Sequence, residues 1–239
     1  MHNIRTIAKR ELASYFNSPI AYIVVVAFLL VAGWMYFGPL FLMGRADMRT
    51  FFAPSPFSPA MLLIILVPAV SMRLVAEERK SKTIELLTTW PVTDAEVILG
   101  KFVGAFGLIA TALGATLVYA ITVSFLGPLD WGTVAAGYLG MLLFSASLLA
   151  VGLFTSTVSD NQIVAFIIGL VVSGALYFVY WLQIFVPSFM VPVVEFISVS
   201  FHLDNMARGI VDSRDIIYYL TLTTGGLFLA TASLARRHA

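Results

Sequence analysis

The chain contains no cysteine and few charged residues. Of its 239 residues, 14 are Lys or Arg and 13 are Asp or Glu, so only 11% carry a charge, whereas about 25% do so in an ordinary soluble domain. The missing cysteines exclude disulfides, catalytic thiolates and thiolate metal sites. The scarcity of charge argues against a water-soluble single domain.

The charged residues are unevenly spread and leave six charge-free runs. The whole chain is 60% hydrophobic, and each run is long enough for a membrane-spanning helix, which needs about 20 residues. We therefore predict an all-α integral membrane protein with a single domain over residues 1–239. Its six transmembrane helices are expected within residues 12–44, 50–72, 102–129, 131–159, 161–194 and 216–235.

Residues 1–16 precede the first run and predict an amphipathic helix at the membrane surface. Apolar residues recur there at helical spacing, and basic residues are available for the opposite side. No small-residue cleavage site follows the first apolar run, so we expect no cleavable signal peptide. The apolar set is Ile4, Ile7, Ala8, Leu12, Tyr15 and Phe16, and the basic set is Arg5, Lys9 and Arg10.

The distribution of Lys and Arg predicts the orientation in the membrane. If the six spans alternate, ten of these residues fall on the side of both termini and four fall on the other side. Because the cytoplasmic side carries the excess of Lys and Arg, we expect both termini in the cytoplasm. Residues 73–101 would then form a cytoplasmic loop, and residues 186–215 would form an external or re-entrant segment.

Several motifs that would indicate catalysis are missing. A phosphate-binding loop is excluded because Ala95 stands where its first glycine belongs and Phe102 follows Lys101. No His-Glu-x-x-His is present, and no predicted span has an interior charged residue or histidine. We expect no catalytic residue, no metal and no cofactor in this chain, and no nucleic-acid partner, since the basic residues are explained by orientation. A membrane-embedded enzyme is not favoured, because the sequence shows no nucleophile and no acid pair.

The cytoplasmic loop has a pattern that a structureless linker would not need. A short apolar helix is predicted over Thr83 to Trp90, Pro91 ends it, and Thr93 with Glu96 has the spacing of a capping box. A helix that projects from the membrane has no core of its own. It must therefore dock on a partner or fold back onto the membrane surface.

The same loop carries a resemblance to a known family. Its motif consists of Glu78, Arg79, Lys82, Thr83, Ile84, Glu85, Leu86 and Leu87. This motif is followed by Pro91, Val92 and Thr93 and by the helix that opens at Gly100 and Lys101. The arrangement resembles the permease subunits of ABC type-2 transporters. In that family the stretch is the coupling helix, which inserts into the ATP-binding subunit. The resemblance implies that the ATPase-coupling residues are Glu78, Arg79, Lys82, Thr83, Ile84, Glu85, Leu86, Leu87 and Trp90.

A second stretch resembles one branch of that family, the gliding-motility-associated permeases. It consists of His202, Asn205, Arg208, Gly209, Asp212, Ser213, Arg214 and Asp215. A permease for nitrous-oxide-reductase maturation is a near neighbour and remains an alternative.

The resemblance implies a permease of the bacterial inner membrane, an exporter in which two ATP-binding subunits hold ATP and Mg²⁺. A second permease copy or a related membrane subunit would complete the assembly, and in gliding-type systems that subunit has a large external domain. The alternative function is mechanotransmission or assembly, in which ATPase-driven motion reaches an envelope partner without transport of a solute.

Two further sets of residues are candidates, one for helix packing and one for an external polar cluster. One side of the third span is small, which would let a neighbouring backbone approach closely, and it carries Gly100, Gly104, Gly107 and Gly114. The external segment carries Glu195, His202, Asp204 and Arg208, which form either a polar cluster or an ordinary solvated rim. Hydroxyl groups within the spans either line a path for cargo or hydrogen-bond between helices.

Overall fold

The computed structural model describes residues 2–44, 46–80 and 92–236, and every regular element within them is helical. A 3₁₀-helix, Val179–Ile184, separates α9 from α10. The α-helices are α1 His2–Phe16, α2 Pro19–Met43, α3 Arg49–Phe52, α4 Pro59–Ser71, α5 Ala76–Lys80, α6 Asp94–Ala115, α7 Leu117–Leu126, α8 Trp131–Val158, α9 Gln162–Phe178, α10 Val191–Ile197, α11 Val199–Ala207 and α12 Ser213–Ala235.

Six helical stretches in the described chain are long and apolar enough to cross a membrane, which confirms the predicted all-α, six-span architecture. The helices extend past the charge-free runs where a charged residue finds a partner near the helix end. The third stretch, for example, begins at Asp94 and not at residue 102. The stretches are Ala21–Met43, Pro59–Lys80, Asp94–Leu126, Trp131–Val158, Gln162–Ile184 and Ser213–Ala235.

Helix α8 lies at the centre of the bundle. It contacts α4, α6, α9, α11 and α12, and its side chains Phe144, Leu148, Leu149 and Leu153 are fully buried. In a membrane, lipid is as apolar as these side chains, so close packing and interhelical hydrogen bonds hold such a core together. The position of α8 therefore fixes where the other helices lie.

A glycine brings α12 into contact with α8. A Cβ atom added at Gly226 would lie 2.9 Å from the Cβ of Ala150 and 3.0 Å from its carbonyl carbon. The neighbouring Gly225 faces open space, with no atom within 4 Å of the added Cβ. The two helices thus approach through Gly226 and not through Gly225.

The third span is broken about two thirds of the way along, between a helix of 22 residues and one of 10, a feature that the sequence did not predict. Helix α6 ends at Ala115 and α7 begins at Leu117. The hydroxyl of Thr116, between them, donates to the carbonyl of Leu113 at 2.6 Å and lies 2.9 Å from the hydroxyl of Tyr138. The break therefore lies at a threonine that bonds both to its own helix and to α8, and back-bonding of this kind often bends a helix.

The helices place their connecting segments at two ends of the bundle. One end, called here the α5 end, carries α1, α5, the start of α6 and the turn between α8 and α9. The other, called the α11 end, carries α3, the turn between α7 and α8, and helices α10 and α11. At the α11 end, Gly209 follows α11 with a φ of +83°, a left-handed conformation that glycine adopts without strain.

We predict that Gly226→Val destabilises the bundle and that Gly225→Val does not. The valine at 226 would collide with Ala150, and such overpacking costs about 1–3 kcal/mol. Thermal unfolding of the purified protein in detergent measures the difference. Both substitutions carry the same helix propensity, so an equal loss of stability in the two variants would contradict the proposed α8–α12 contact.

Candidate coupling site

The predicted ATPase-coupling residues are only partly visible in the structure. Glu78 and Arg79 lie on α5. The rest, Lys82, Thr83, Ile84, Glu85, Leu86, Leu87 and Trp90, lie outside the described residues. The described part of the candidate site consists of the two ends of the loop, α5 and the start of α6, called here the stems, and of the elements that hold them.

A single hydroxyl fixes the first stem to α8. The Ser156 side chain accepts hydrogen bonds from the backbone N–H groups of Val75 and Ala76, both at 3.1 Å. The same hydroxyl donates to the carbonyl of Met72 at 3.1 Å. These backbone groups stand between α4 and α5, where the helical ladder is interrupted. Ser156 thus replaces lost backbone partners and holds α5 against the central helix.

The second stem begins with the predicted capping box, which the structure confirms. The Thr93 hydroxyl accepts from the Glu96 N–H at 3.3 Å, and the Glu96 carboxylate accepts from the Thr93 N–H at 3.1 Å. The amide of Asn3 on α1 also donates to the Glu96 carboxylate, at 3.2 Å. The cap therefore defines where α6 begins and also joins it to α1.

A buried lysine links the two stems. The side chain of Lys101 is only 4% exposed, and its Nζ lies 2.7 Å from the Glu78 carboxylate on α5. The same Nζ lies 3.8 Å from the Glu11 carboxylate on α1. Because an uncompensated buried charge is costly, the two carboxylates allow Lys101 to be charged there. From the sequence alone, Lys101 is only the residue that borders a span. Nothing in the sequence shows which carboxylates lie near it in the fold.

Arg79 joins α5 to the turn between α8 and α9. Its guanidinium donates to the Asp160 carboxylate at 3.3 Å. The Arg79 side chain is 8% exposed and that of Asp160 is 72% exposed, so the pair spans from the interior to the surface. An ion pair that water reaches contributes little to stability. Its significance is geometric, because it places a second turn beside the coupling stems.

A polar cavity of about 280 Å³ lies between α1, α5 and α6. Basic and acidic groups alternate around it, and its polar lining includes Arg10, Glu11, Ser14, Arg73, Glu78 and Lys101. Burial raises the pKa of the Glu11 carboxyl above its ordinary value, and the Lys101 ammonium partly opposes that rise. The charged form of Glu11 is thus disfavoured by its burial in this network.

The small face of the third span receives α1. A Cβ atom added at Gly100 would lie 2.6 Å from the Ile7 side chain, and one at Gly104 would lie 2.6 Å from the Cβ of Glu11. At Gly107 it would lie 3.1 Å from Leu12. Gly114 has open space instead and lines an apolar cavity between α6 and α8. The predicted close approach is therefore made by α1 of the same chain, at three of the four glycines.

Helix α1 turns its apolar side inward. Ala8 is buried and the other five apolar positions are partly buried, whereas Arg5, Lys9 and Arg10 are exposed. The Tyr15 hydroxyl also donates to the Val70 carbonyl of α4, at 3.3 Å. Helix α1 is thus part of the packed bundle, with its basic side directed outward.

The predicted external residues divide into two groups at the α11 end. Asp204 and Arg208 form an ion pair along α11. His202 is buried and its Nδ1 lies 2.6 Å from the Asp215 carboxylate at the start of α12. Asn205 donates to the same carboxylate at 3.3 Å. No side-chain hydrogen bond or ion pair connects Glu195 to the rest of the described chain.

Asp215 and Asn205 are partners of His202 that the predicted external polar set does not contain, although both belong to the stretch that resembles the gliding-motility branch. The signal was available, because His202 and Asn205 are three residues apart on one helix face. The His202 ring also stacks on Tyr218, with centroids 4.0 Å apart. Together these contacts fasten α11 to the first turn of α12.

Hydroxyl groups within the spans mostly bond between or within helices. Tyr119 donates to the Leu29 carbonyl at 2.6 Å, and Tyr177 donates to the Ser55 carbonyl at 3.2 Å. Ser145 and Ser147 bond to carbonyls of their own helix. Ser173 is buried and has no hydrogen-bond partner among the residues that the structure describes. Within residues 2–44, 46–80 and 92–236, no three His, Asp or Glu side chains meet as a metal site would require.

Comparison with known proteins identifies the family. Residues 5–195 match the family described as ABC-2 family transporter protein. The chain belongs to this ABC-2 family. The assignment confirms the family that the loop motif predicted, whereas closeness to the gliding-motility branch stays a prediction.

Two curated relatives share part of the sequence. The chain is 34% identical over 121 residues to the probable multidrug ABC transporter permease YbhR of Escherichia coli K12. The protein of the same name from Escherichia coli O157:H7 gives the same values. The aligned region is 51% of this chain and 32% of each relative, so the chain covers about a third of the length of the curated relatives it matches.

We predict that the thermal stability of Glu11→Gln, relative to the wild type, is higher at pH 7 than at pH 4. A carboxyl whose folded-state pKa is raised stabilises the fold below its unfolded pKa, and that contribution is lost as pH rises through the folded pKa. The glutamine variant does not have this loss. Unfolding curves of wild type and variant at both pH values test it, and a benefit that shrinks with rising pH would contradict the cause assigned to the shift.

We predict a contrast between two aspartates at the α11 end. Asp215→Ala leaves His202 and Asn205 without their buried acceptor, and a buried polar group that loses its hydrogen-bond partner costs about 1–3 kcal/mol. Asp204→Ala removes an exposed pair worth about 0–1 kcal/mol. Thermal unfolding of the two variants should differ by several degrees. Equal stability would mean that the buried pair does not fasten α11 to α12.

Proposed function

We propose that this chain is the membrane-spanning permease subunit of an ATP-driven ABC exporter. A separate partner subunit would bind ATP and Mg²⁺ and dock on the loop that starts at Glu78 and Arg79. The observation that supports this best is the construction of the α5 end. Both stems of the loop are tied to α1 and α8 by buried contacts, which a simple linker between two spans would not require.

The stems give a partner ATPase a mechanical connection to the membrane helices. A nucleotide cycle moves a transporter only to the extent that its bound states differ in affinity for the two conformations. A partner bound to the loop would pull on α5. Helix α5 follows α4 along the chain and is bonded to α6 and α8, so all three would be pulled with it. The resulting motion would therefore reach the core of the bundle.

The proposed location is the bacterial inner membrane, with both termini in the cytoplasm. The excess of Lys and Arg at the α5 end supports this orientation. The exposed basic residues of α1, Arg5, Lys9 and Arg10, would then face anionic lipid headgroups on the cytoplasmic side. The α11 end, with residues 186–215, would be external.

We further propose that two permease subunits, identical or related, surround the transport path. Most hydroxyl groups in the spans are used in contacts with carbonyls, so the interior of one copy offers little polar lining. Three of the spans are largely unburied within the chain, Ala21–Met43, Gln162–Ile184 and Ser213–Ala235. These surfaces are available to lipid or to a second subunit.

The cargo is proposed as an amphipathic organic molecule, which suits a path between apolar helices. Curated relatives named as probable multidrug permeases support this choice. The alternative, force transmission to an envelope partner, is compatible with the same α5 end. The fastening of α11 to α12 by His202 and Asp215 would give such a partner a firm external attachment.

We predict that Leu87→Asp releases the partner ATPase and leaves the permease in the membrane. A charge at an apolar docking position costs about 2 kcal/mol or more in binding, which is at least about thirtyfold in affinity. The tagged protein is purified from native membranes in mild detergent, and the retained ATPase activity is measured.

Ser213→Asp is the matched control, because it adds the same charge to an exposed position at the α11 end. It should retain the ATPase as the wild type does. If no ATPase is retained by the wild type, the transporter proposal fails. A retained protein with a large external domain would favour force transmission over solute export.

A further inference from the structure

We propose that Lys101 passes the displacement of α5 to α1 and α6, as a positioning residue for ATPase coupling. The inference rests on the proposed function and names one residue by which the α5 end would operate. Lys101 lies outside the loop motif, and the permease resemblance assigned it no role.

The first step of the argument is that Lys101 contacts both moving parts. Its Nζ lies 2.7 Å from Glu78 and 3.8 Å from Glu11, so one ammonium joins α5, α6 and α1. The lysine is 4% exposed, and the two carboxylates are 26% and 22% exposed. Because the ammonium itself is buried, its separation from either carboxylate is costly, so the ion pairs move together or break at a cost.

The second step is that Lys101 and Glu78 bond α6 directly to α5. Ser156 and Asp160 tie the α5 region to α8 and to the turn after it, and Asn3 joins α6 to α1. The pair Lys101–Glu78 is the side-chain bond, among the described residues, that closes the two stems on each other. Displacement of α5 would thus pull on α6 through this bond.

The third step is that α1 is held to α6 tightly enough to follow it. Gly100 and Gly104 stand on either side of Lys101 along the α6 helix, and α1 packs on both. The Ala8 carbonyl would lie 3.0 Å from a Cβ atom at Gly104. Backbones this close cannot slide past each other without a clash, so α1 and α6 would move as one body under the pull of Lys101.

The test uses the intact complex of permease and ATPase in lipid nanodiscs. The chain has no cysteine, so Val97→Cys introduces a single thiol into the permease. Val97 is buried and lines the polar cavity between α1, α5 and α6, so its labelling by a maleimide, measured on the permease band, reports the opening of that cavity. Labelling is compared without nucleotide and with ATP plus vanadate.

The test variant combines Lys101→Met with Glu11→Gln, which avoids leaving Glu11 charged beside an apolar side chain. Lys101→Arg keeps the charge, and Lys80→Met is the control, because it removes an exposed lysine at the end of α5. We expect the double variant to retain the ATPase. Its ATP-dependent change in labelling should be at least about fivefold smaller than that of the wild type. Lys101→Arg should keep most of that change, and Lys80→Met should keep all of it.

Three results would overturn the inference while the proposed function stands. The double variant could respond to ATP as the wild type does, it could lose the ATPase, which would make the network part of docking, or it could fail to reach the membrane, which would make Lys101 a folding requirement. A wild-type complex that retains no ATPase would overturn the proposed function and, with it, this inference.

Discussion

The structure depends on how a charged residue is accommodated inside a helix that begins at the membrane. Lys101 lies in the eighth position of α6, about 10 Å from its first residue along the axis, and is buried. A buried ammonium needs a compensating charge. Glu78 and Glu11 supply it, and to do so α5 and α1 must both lie against the start of α6.

The rest of the α5 end follows from that requirement. Helix α1 can approach α6 only where side chains are small, and Gly100, Gly104 and Gly107 provide that surface. Helix α5 must turn back from α4, and Ser156 satisfies the backbone groups that the turn exposes. Charge, glycine spacing and a buried hydroxyl therefore act together to bring three helices to one point beside the loop.

The spans were predictable because a bilayer imposes a length and excludes charge. The charge-free runs located all six, and the errors lie at their ends, where Lys101 or Asp215 pairs with a residue distant in the sequence. Such pairs depend on tertiary contacts and have no local signal. The break at Thr116 has no local signal either, since Thr111 and Thr122 bond back to their own helices without interrupting them.

The candidate site was predictable in part. The capping box of Thr93 and Glu96 follows from local spacing, and the structure shows it. The small face of α6 was visible in the sequence, but its occupant was not, because a stripe of glycines does not say which helix will pack on it. Helix α1 of the same chain fills this face, and the largely unburied spans are the surfaces available to a second permease.

Hydrogen–deuterium exchange of the purified permease, with and without its partner ATPase, tests the central claim most directly. The account predicts slower exchange in peptides from residues 76–101 and from the turn at residues 159–161 when the ATPase is bound. Peptides from residues 186–215 should exchange as before. Protection confined to the α11 end, or none at the α5 end in a complex that binds ATPase, would contradict it.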